Sequence, residues 1–352
     1  MQHYRIDLVS DTTTRPTAAM RRAMAEAIVG DEQKHEDPTT NRLAAMVAEL
    51  TGKEAAVFLP SGAMCNQIAI RVHCRPGDEI MVHRTAHIFN YEGAGHAALS
   101  GATAMPLEGP RGMFTADAVQ AAVRPQSNHH SRSRLLCVEQ TTNMGGGAVW
   151  PLDQVREVCA AARAHGMATH LDGARLLNAV VATGIPAHTW CEPFDSVWID
   201  FSKGLGAPVG AVLAGDRAFI REAWRAKHQF GGAMRQSGII AAAAIHALEH
   251  HIERLAEDHD NARRLGGLLE AIPGVRVESP IETNMVFFDV AEAGLTGAEL
   301  IRRIAADGVR VSPGGRPTRL RAVTHLDVTG TMIDDAAAAI AKAVGAGKGS
   351  DL

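Results

Sequence analysis

The chain has 352 residues, of which 46% are hydrophobic and 21% are charged, and its formal net charge is -4. This composition is typical of a soluble globular protein and argues against a disordered chain or a membrane protein. The weak charge provides no field that would collect polyanions, so nucleic acid is not an expected partner. The N-terminus lacks the basic and apolar segments of a signal peptide, and we expect a cytoplasmic protein.

Helical segments alternate with short apolar runs along most of the chain. The runs include "EAAVFLP", "DEIMVH", "RLLCVEQ", "MATHLD" and "SVWIDFS". Strands that are apolar nearly throughout are typical of a mostly parallel sheet covered on both faces, so the pattern predicts an α/β fold. Later strands, among them "NMVFFDV" and "RLRAVTHLDV", surround one helix and indicate a smaller α+β domain. We place the boundary near residue 250, giving a large domain at 1–250, which includes the N-terminal segment, and a small domain at 251–352.

Cysteine and histidine spacing does not indicate a disulfide framework or a catalytic metal. The cysteines lie far apart, which predicts reduced and mostly buried thiols. His246 and His250 have the i, i+4 spacing of a helical metal site, with His251 beside them, but no glutamate completes the H-E-x-x-H pattern. We therefore predict a solvated or interface surface for these histidines.

The stretch "FLPSGAMCNQIAI" combines a strand, a Ser-Gly turn and the start of a helix. Backbone N–H groups of Gly62 and Ala63 at the helix start, with the Ser61 hydroxyl, are suited to binding a phosphate. His87 follows the strand "DEIMVH", where an imidazole could stack on a ring and move protons. Taken alone, however, strand-turn-helix sequences are common, and a histidine in this position is more often a packing residue.

Lys203 follows the apolar run "SVWIDFS", and lysine is scarce in this chain. An amine can lose its proton and form a Schiff base, which arginine cannot do. Asp172 ends the run "MATHLD" and could pair with the pyridinium nitrogen of pyridoxal phosphate. The alternatives are a solvated loop lysine and a helix N-cap. Arg175 and Arg321 would suit a clamp for a substrate carboxylate, although such arginines are often surface charges.

A nicotinamide enzyme or nucleotide-binding module is a competing hypothesis. The segment "GAGHAA" fits G-x-G-x-x-A by letter, but it follows "HIFNYE" rather than an apolar strand. The spacing of "GLGAPVG" also differs from the dinucleotide-binding pattern. These mismatches favour pyridoxal phosphate.

With these residues in place, the sequence resembles the L-threonine aldolase family of pyridoxal-phosphate enzymes, within the aromatic amino acid β-eliminating lyase group. The resemblance covers nearly the whole chain in order. It is carried by "IDLVSDTTTRPT", "EDPTTN", "GKEAAVFLPSG", "HLDGARLLNA", "SKGLGAPVG", "GGAMRQSGIIAAA", "EDHDNA" and "VTHLDVT". It implies the aspartate-aminotransferase-like fold (fold type I) and a homotetramer, a dimer of dimers with active sites shared between subunits.

The resemblance also implies roles for individual residues. Lys203 would bind the cofactor covalently, Asp172 would contact its ring nitrogen and His87 would stack on it, while Ser61 and Gly62 would hold its phosphate. The same likeness assigns the carboxylate contacts to Ser10, Arg175 and Arg321. It implies that His129 lies near the β-hydroxyl of the substrate and that Arg235 reaches the active site of a neighbouring subunit.

This sequence departs from the family pattern at several positions. The usual threonine of the phosphate turn is replaced by Ala63, which removes a hydroxyl. The other departures are Lys34, His35, Thr142, Asp200 and Phe201.

The implied reaction is cleavage of a β-hydroxy-α-amino acid to glycine and an aldehyde. A base, His129 or a water that it holds, would take the hydroxyl proton. A β-eliminating lyase or an amino-acid racemase on the same scaffold remains an alternative.

Overall fold

The computed structural model describes residues 4–278 and 280–345; the last seven residues of the predicted small domain, 346–352, lie outside this range. The strands are β1 (Ile6–Asp7), β2 (Ala55–Leu59), β3 (Asp78–His83), β4 (Thr103–Leu107), β5 (Arg132–Glu139), β6 (Ala168–Asp172), β7 (Ser196–Asp200), β8 (Ala211–Gly215), β9 (Arg276–Val277), β10 (Met285–Asp289), β11 (Val309–Arg310), β12 (Ser312–Pro313) and β13 (Arg319–Val323).

The α-helices of the described chain vary from one turn to more than four turns. They are α1 (Ala18–Ala25), α2 (Pro38–Thr51), α3 (Gly62–His73), α4 (His87–Asn90), α5 (Gly95–Ser100), α6 (Ala116–Ala122), α7 (Leu152–Ala164), α8 (Leu176–Thr183), α9 (Ala187–Cys191), α10 (Arg217–Gln229), α11 (Gly238–His250), α12 (Leu255–Glu270), α13 (Gly297–Ala305) and α14 (Gly330–Gly345).

The large sheet has seven strands in the order β2-β8-β7-β6-β5-β3-β4. Strands β7, β6, β5, β3 and β4 are mutually parallel, whereas β8 runs antiparallel to both of its neighbours. Every residue of β3, β7 and β8 is buried, as expected for strands that are covered on both faces. The carboxyl ends of β2, β3, β5, β6 and β7 consequently lie along one edge, where ligands bind in open α/β sheets.

A second hydrophobic core is built around the four-stranded sheet β12-β13-β10-β9 and the helices α12, α13 and α14. The first strand belongs to this unit, because β1 pairs with β11 and Ile6 and Leu8 lie in its core. This differs from the predicted grouping of the N-terminal segment with the large domain. The predicted boundary near residue 250 coincides with the end of α11.

Two further observations concern the whole described chain. No helix within the described ranges is long and apolar enough to cross a membrane. The cysteines are free and buried, as the spacing predicted: Cys65, Cys74, Cys137, Cys159 and Cys191.

Candidate active site

A cavity of about 590 Å³ opens at the carboxyl edge of the large sheet. Eight residues that the sequence predicted for the site line it: Ser10, Gly62, Ala63, His87, Asp172, Arg175, Lys203 and Arg321. They come from the ends of β2, β3, β6 and β7, from the N-terminal segment and from β13, so the cavity lies between the two cores.

Lys203 lies in the turn that follows β7, with its side chain 19% exposed. Its Nζ is 2.8 Å from Oδ2 of Asp200 and 5.5 Å from the centroid of the Trp198 ring. The other oxygen of Asp200 accepts hydrogen bonds from the backbone N–H and the hydroxyl of Ser202, each at 2.8 Å. The amine is thus held at the cavity wall by the carboxylate at the end of its own strand.

Asp172 is the last residue of β6 and is buried. Its Oδ2 accepts a hydrogen bond from Nδ2 of Asn66 at 2.9 Å, and its Oδ1 accepts one from the backbone N–H of Ala174 at 3.1 Å. Burial raises the pKa of Asp172, while the nearby charge of Lys203 and the bond from Asn66 act in the opposite direction.

The predicted phosphate turn forms the N-terminus of α3. Ser61 caps this helix, because its Oγ accepts a hydrogen bond from the backbone N–H of Met64 at 3.2 Å. Gly62 is required by a close approach: a Cβ atom there would lie 2.2 Å from Cη2 of Trp198. Gly62 and Ala63 line the cavity at the start of the helix, where the first N–H groups lack an acceptor within the helix, which suits an anion.

His87 begins α4 directly above the cavity, with its side chain 41% exposed. Its Nδ1 lies 2.9 Å from Oε1 of the buried Glu92. This hydrogen bond raises the pKa of His87 and outweighs the opposing effect of burial. Because a carboxylate only accepts, Nδ1 carries the proton in the neutral ring and Nε2 is left as the acceptor.

Glu139 ends β5 and is a third carboxylate at this edge. Its oxygens accept hydrogen bonds from the backbone N–H of His87 at 3.3 Å and of Asn143 at 3.2 Å. Burial, followed by the charge of Asp172, raises the pKa of Glu139 to about 7. No arginine or lysine of the described chain forms an ion pair with it.

The two arginines of the predicted clamp differ in their partners. Nε and Nη2 of Arg175 each donate to the buried carboxylate of Asp11 at 2.7 Å. Arg321 donates instead to neutral groups, the side-chain oxygens of Asn143 at 2.8 Å and Ser312 at 3.2 Å and a backbone carbonyl. Within residues 4–278 and 280–345, Arg321 has no carboxylate partner, so its charge is available to a substrate carboxylate.

Three predicted residues do not line this cavity: Ser61, whose hydroxyl caps α3, and also His129 and Arg235. His129 is exposed in the loop before β5, and that loop is at the amino edge of the sheet, opposite the cavity. Arg235 is exposed and pairs with Asp31 at 3.0 Å. Neither His129 nor Arg235 lines the cavity of its own chain.

Four further residues shape the site and were not predicted from the sequence: Glu92, Glu139, Asn66 and Asp11. Glu139 had a usable signal, since it ends the run "RLLCVEQ" as Asp172 ends "MATHLD". Asn66 lies one helical turn after Gly62, on the same helix as the phosphate turn. Glu92 and Asp11 carry no local signal, because both lie outside the strands and α-helices that a periodic pattern predicts.

These residues fit pyridoxal phosphate. A side chain at position 62 would clash with the Trp198 ring. Glycine at this position leaves the backbone N–H groups of the turn uncovered for a phosphate. A buried carboxylate at Asp172 suits a ring N–H, and the Lys203 amine suits an aldehyde.

The overall architecture matches solved structures at low sequence identity. A threonine aldolase from Leishmania major has a TM-score of 0.83 at 20% identity, covering 96% of this chain and 99% of that one. An aspartate aminotransferase from Rhizobium meliloti has a TM-score of 0.69 at 16% identity, covering 97% of this chain and 91% of that one. The fold is therefore the aspartate-aminotransferase-like fold, known as fold type I.

Sequence comparison gives the family. The model of the beta-eliminating lyase family matches residues 7–293. A low specificity L-threonine aldolase from Escherichia coli is 41% identical over 95% of this chain and 97% of its own. A low-specificity L-threonine aldolase from Arabidopsis thaliana is 39% identical over 92% of each chain. This chain belongs to the beta-eliminating lyase family.

Proposed function

We propose that this chain is a pyridoxal-phosphate-dependent aldolase that cleaves L-threonine, L-allo-threonine or a related β-hydroxy-α-amino acid to glycine and an aldehyde. The observation that carries the proposal is one cavity lined by Lys203, Asp172 and an arginine without a carboxylate partner among the described residues. The threonine aldolases that it resembles over nearly their whole length supply the reaction type.

The chain's own residues would hold the cofactor at three points. Lys203 would bind its aldehyde, Asp172 its ring nitrogen, and the N-terminus of α3 its phosphate. When bound, pyridoxal phosphate supplies an electron-accepting ring that can receive the electron pair of the Cα–Cβ bond. Asp172 favours this chemistry by keeping the ring nitrogen protonated.

Arg321 would bind the substrate carboxylate and so orient the amino acid. A guanidinium held by neutral acceptors keeps its full charge for an incoming anion. Arg175 would contribute mainly through its remaining nitrogen, because Asp11 already engages two of them. Orientation decides which bond at Cα is aligned for cleavage.

The proton of the β-hydroxyl requires an acceptor near the cavity. Nε2 of His87 has this capacity in the same chain, since Glu92 holds Nδ1. His129 would act only from a neighbouring subunit.

We extend the proposal to a cytoplasmic homotetramer with shared active sites. Its support is that His129 and Arg235 are exposed and lie outside the cavity of their own chain, although the family resemblance brings both near a site. Mixed tetramers of His129→Ala and Lys203→Ala chains test this arrangement. Recovery of activity in the mixture supports a shared site, and equal inactivity of mixture and parents contradicts it.

Two assays test the function itself. Borohydride reduction and peptide mapping should find the cofactor on Lys203, and a different lysine would contradict the assignment. L-Threonine, L-allo-threonine, phenylserine and 3-hydroxyaspartate should release glycine and aldehyde. Pyruvate and ammonia would instead identify a β-eliminating lyase, and inversion of alanine would identify a racemase.

A further inference from the structure

Asn66 is a buried side chain that makes four hydrogen bonds beneath the cavity. Its Nδ2 donates to Glu92 Oε1 at 2.8 Å and to Asp172 Oδ2 at 2.9 Å. Its Oδ1 lies 2.7 Å from Nε1 of Trp198 and 3.1 Å from Nε2 of His170. A primary amide has two N–H donors and two lone pairs, so the hydrogen-bonding capacity of Asn66 is fully used.

Chemistry allows only one orientation of this amide. The indole N–H of Trp198 can only donate, and ionised carboxylates can only accept. A reversed amide would place Nδ2 against the indole N–H and Oδ1 against two carboxylates. The oxygen therefore faces Trp198, and the two N–H groups face Asp172 and Glu92.

The donor and acceptor roles of the groups that lead to the Asn66 oxygen are determined in the same way. Burial lowers the pKa of His170 to about 3, so its ring is neutral. Its Nε2 must donate to the Asn66 oxygen, which leaves Nδ1 to accept from the Ser196 hydroxyl at 2.8 Å. The Ser196 oxygen in turn accepts from Nε2 of His73 at 2.8 Å. The successive hydrogen bonds from His73 through Ser196 and His170 are thus all donated in the direction of Asn66.

We propose that Asn66 is a positioning residue that keeps the Asp172 carboxylate ionised and turned toward the cofactor, an inference that rests on the proposed function. Asp172 and Glu92 are two buried carboxylates that act on each other electrostatically, and Asn66 gives one N–H to each. Lys203 and His87 also face Asp172, but neither forms a hydrogen bond with it in the described chain. Without Asn66, one of the two carboxylates would take up a proton to relieve their repulsion.

The test compares Asn66→Leu with Gln67→Leu, using pyridoxal phosphate as the probe. Gln67 is the matched control, because it is the next residue of the same helix and donates to Glu92 at 2.6 Å without contacting Asp172. In Asn66→Leu the dissociation constant for pyridoxal phosphate should rise about tenfold to a hundredfold, as when a residue that orients a ligand-binding side chain is removed. The absorbance of the bound cofactor should change its pH dependence, and kcat should fall more than KM changes.

Gln67→Leu should keep the cofactor affinity and the absorbance profile of the wild type. If Asn66→Leu does the same, the inference is overturned. If Asn66→Leu does not fold, Asn66→Asp matches the shape of the native residue while adding a third carboxylate, and it should weaken cofactor binding in the same way. Wild-type affinity in Asn66→Asp would likewise overturn the inference. A wild-type protein that binds no pyridoxal phosphate would instead refute the proposed function.

Discussion

Carboxylates at the two edges of the large sheet differ in the partners that bind them. At the amino edge, Asp78 is paired with Arg132 at 2.7 Å and Glu79 with Arg124 at 3.3 Å. At the carboxyl edge, Asp200 pairs with Lys203 at 2.8 Å, but Glu139 and Asp172 receive hydrogen bonds from backbone N–H groups and an amide. Cations and neutral donors both favour the ionised form of a carboxylate, but a carboxylate without an ion pair can still pair with a cationic group of a ligand. Within one chain, the carboxylates that can pair with a cationic ligand therefore lie at the carboxyl edge, beside the cavity.

The largest expected effect comes from Asp172→Asn. A neutral amide cannot stabilise a protonated cofactor ring, and losing one such electrostatic partner typically lowers kcat by about a hundredfold to a thousandfold. The matched control is Asp78→Asn, the same substitution at the amino edge, which should leave kcat unchanged. Steady-state kinetics on both variants, with folding checked by circular dichroism, makes the comparison. Near wild-type turnover in Asp172→Asn would remove its proposed role.

Glu139, at the carboxyl edge, makes the stability of the folded protein depend on pH. Because its pKa rises from 4.5 to about 7 on folding, the folded protein keeps a proton that the unfolded chain releases within this window. The free energy of unfolding therefore falls by roughly 3 kcal/mol as the pH rises from 4.5 to 7, because the folded protein gives up this proton only at the upper end of the window. Glu139→Gln cannot titrate, so its stability relative to wild type should increase across the window. Denaturant unfolding at several pH values measures the difference, and a constant difference would contradict the prediction.

Site residues could be predicted from the sequence where a chemically reactive side chain stands at the end of an apolar run or just after it. Asp172 and Lys203 follow apolar runs, and the structure brings both to one cavity. The hydrogen bonds of Asn66 could not be predicted, because its partners Glu92, Trp198 and His170 are distant in sequence or lie on other elements. The order of strands was also hidden, since a parallel pattern does not specify which strands are neighbours. The pairing of β1 with β11 shows the same limit, because two-residue strands carry no periodicity.

Arg321→Gln tests the cation that β13 contributes to the cavity and that has no carboxylate partner among the described residues. Removing one charge-assisted hydrogen bond should weaken glycine binding by about 1.5 to 3 kcal/mol. Arg319→Gln is the control on the same strand, because Arg319 pairs with Glu278 at 2.6 Å and does not line the cavity. Glycine titration followed by the absorbance of the bound cofactor reports both affinities. Equal affinities in Arg321→Gln and wild type would show that another group binds the carboxylate.

The smallest effect is expected at the amino edge, from Arg132→Ala. The Arg132 side chain is 66% exposed, and pairs of this kind contribute about 0 to 1 kcal/mol to stability. Asp78 would still accept a hydrogen bond from the backbone N–H of Arg75 at 2.7 Å, so its buried carboxylate keeps a partner. Denaturant unfolding should therefore show a loss of about 1 kcal/mol or less, with kcat and KM unchanged. A fall in kcat at unchanged stability would break the contrast between the edges. Because Arg132 is three residues from His129, that result would be consistent with the proposed contribution of His129 to the active site of a neighbouring subunit.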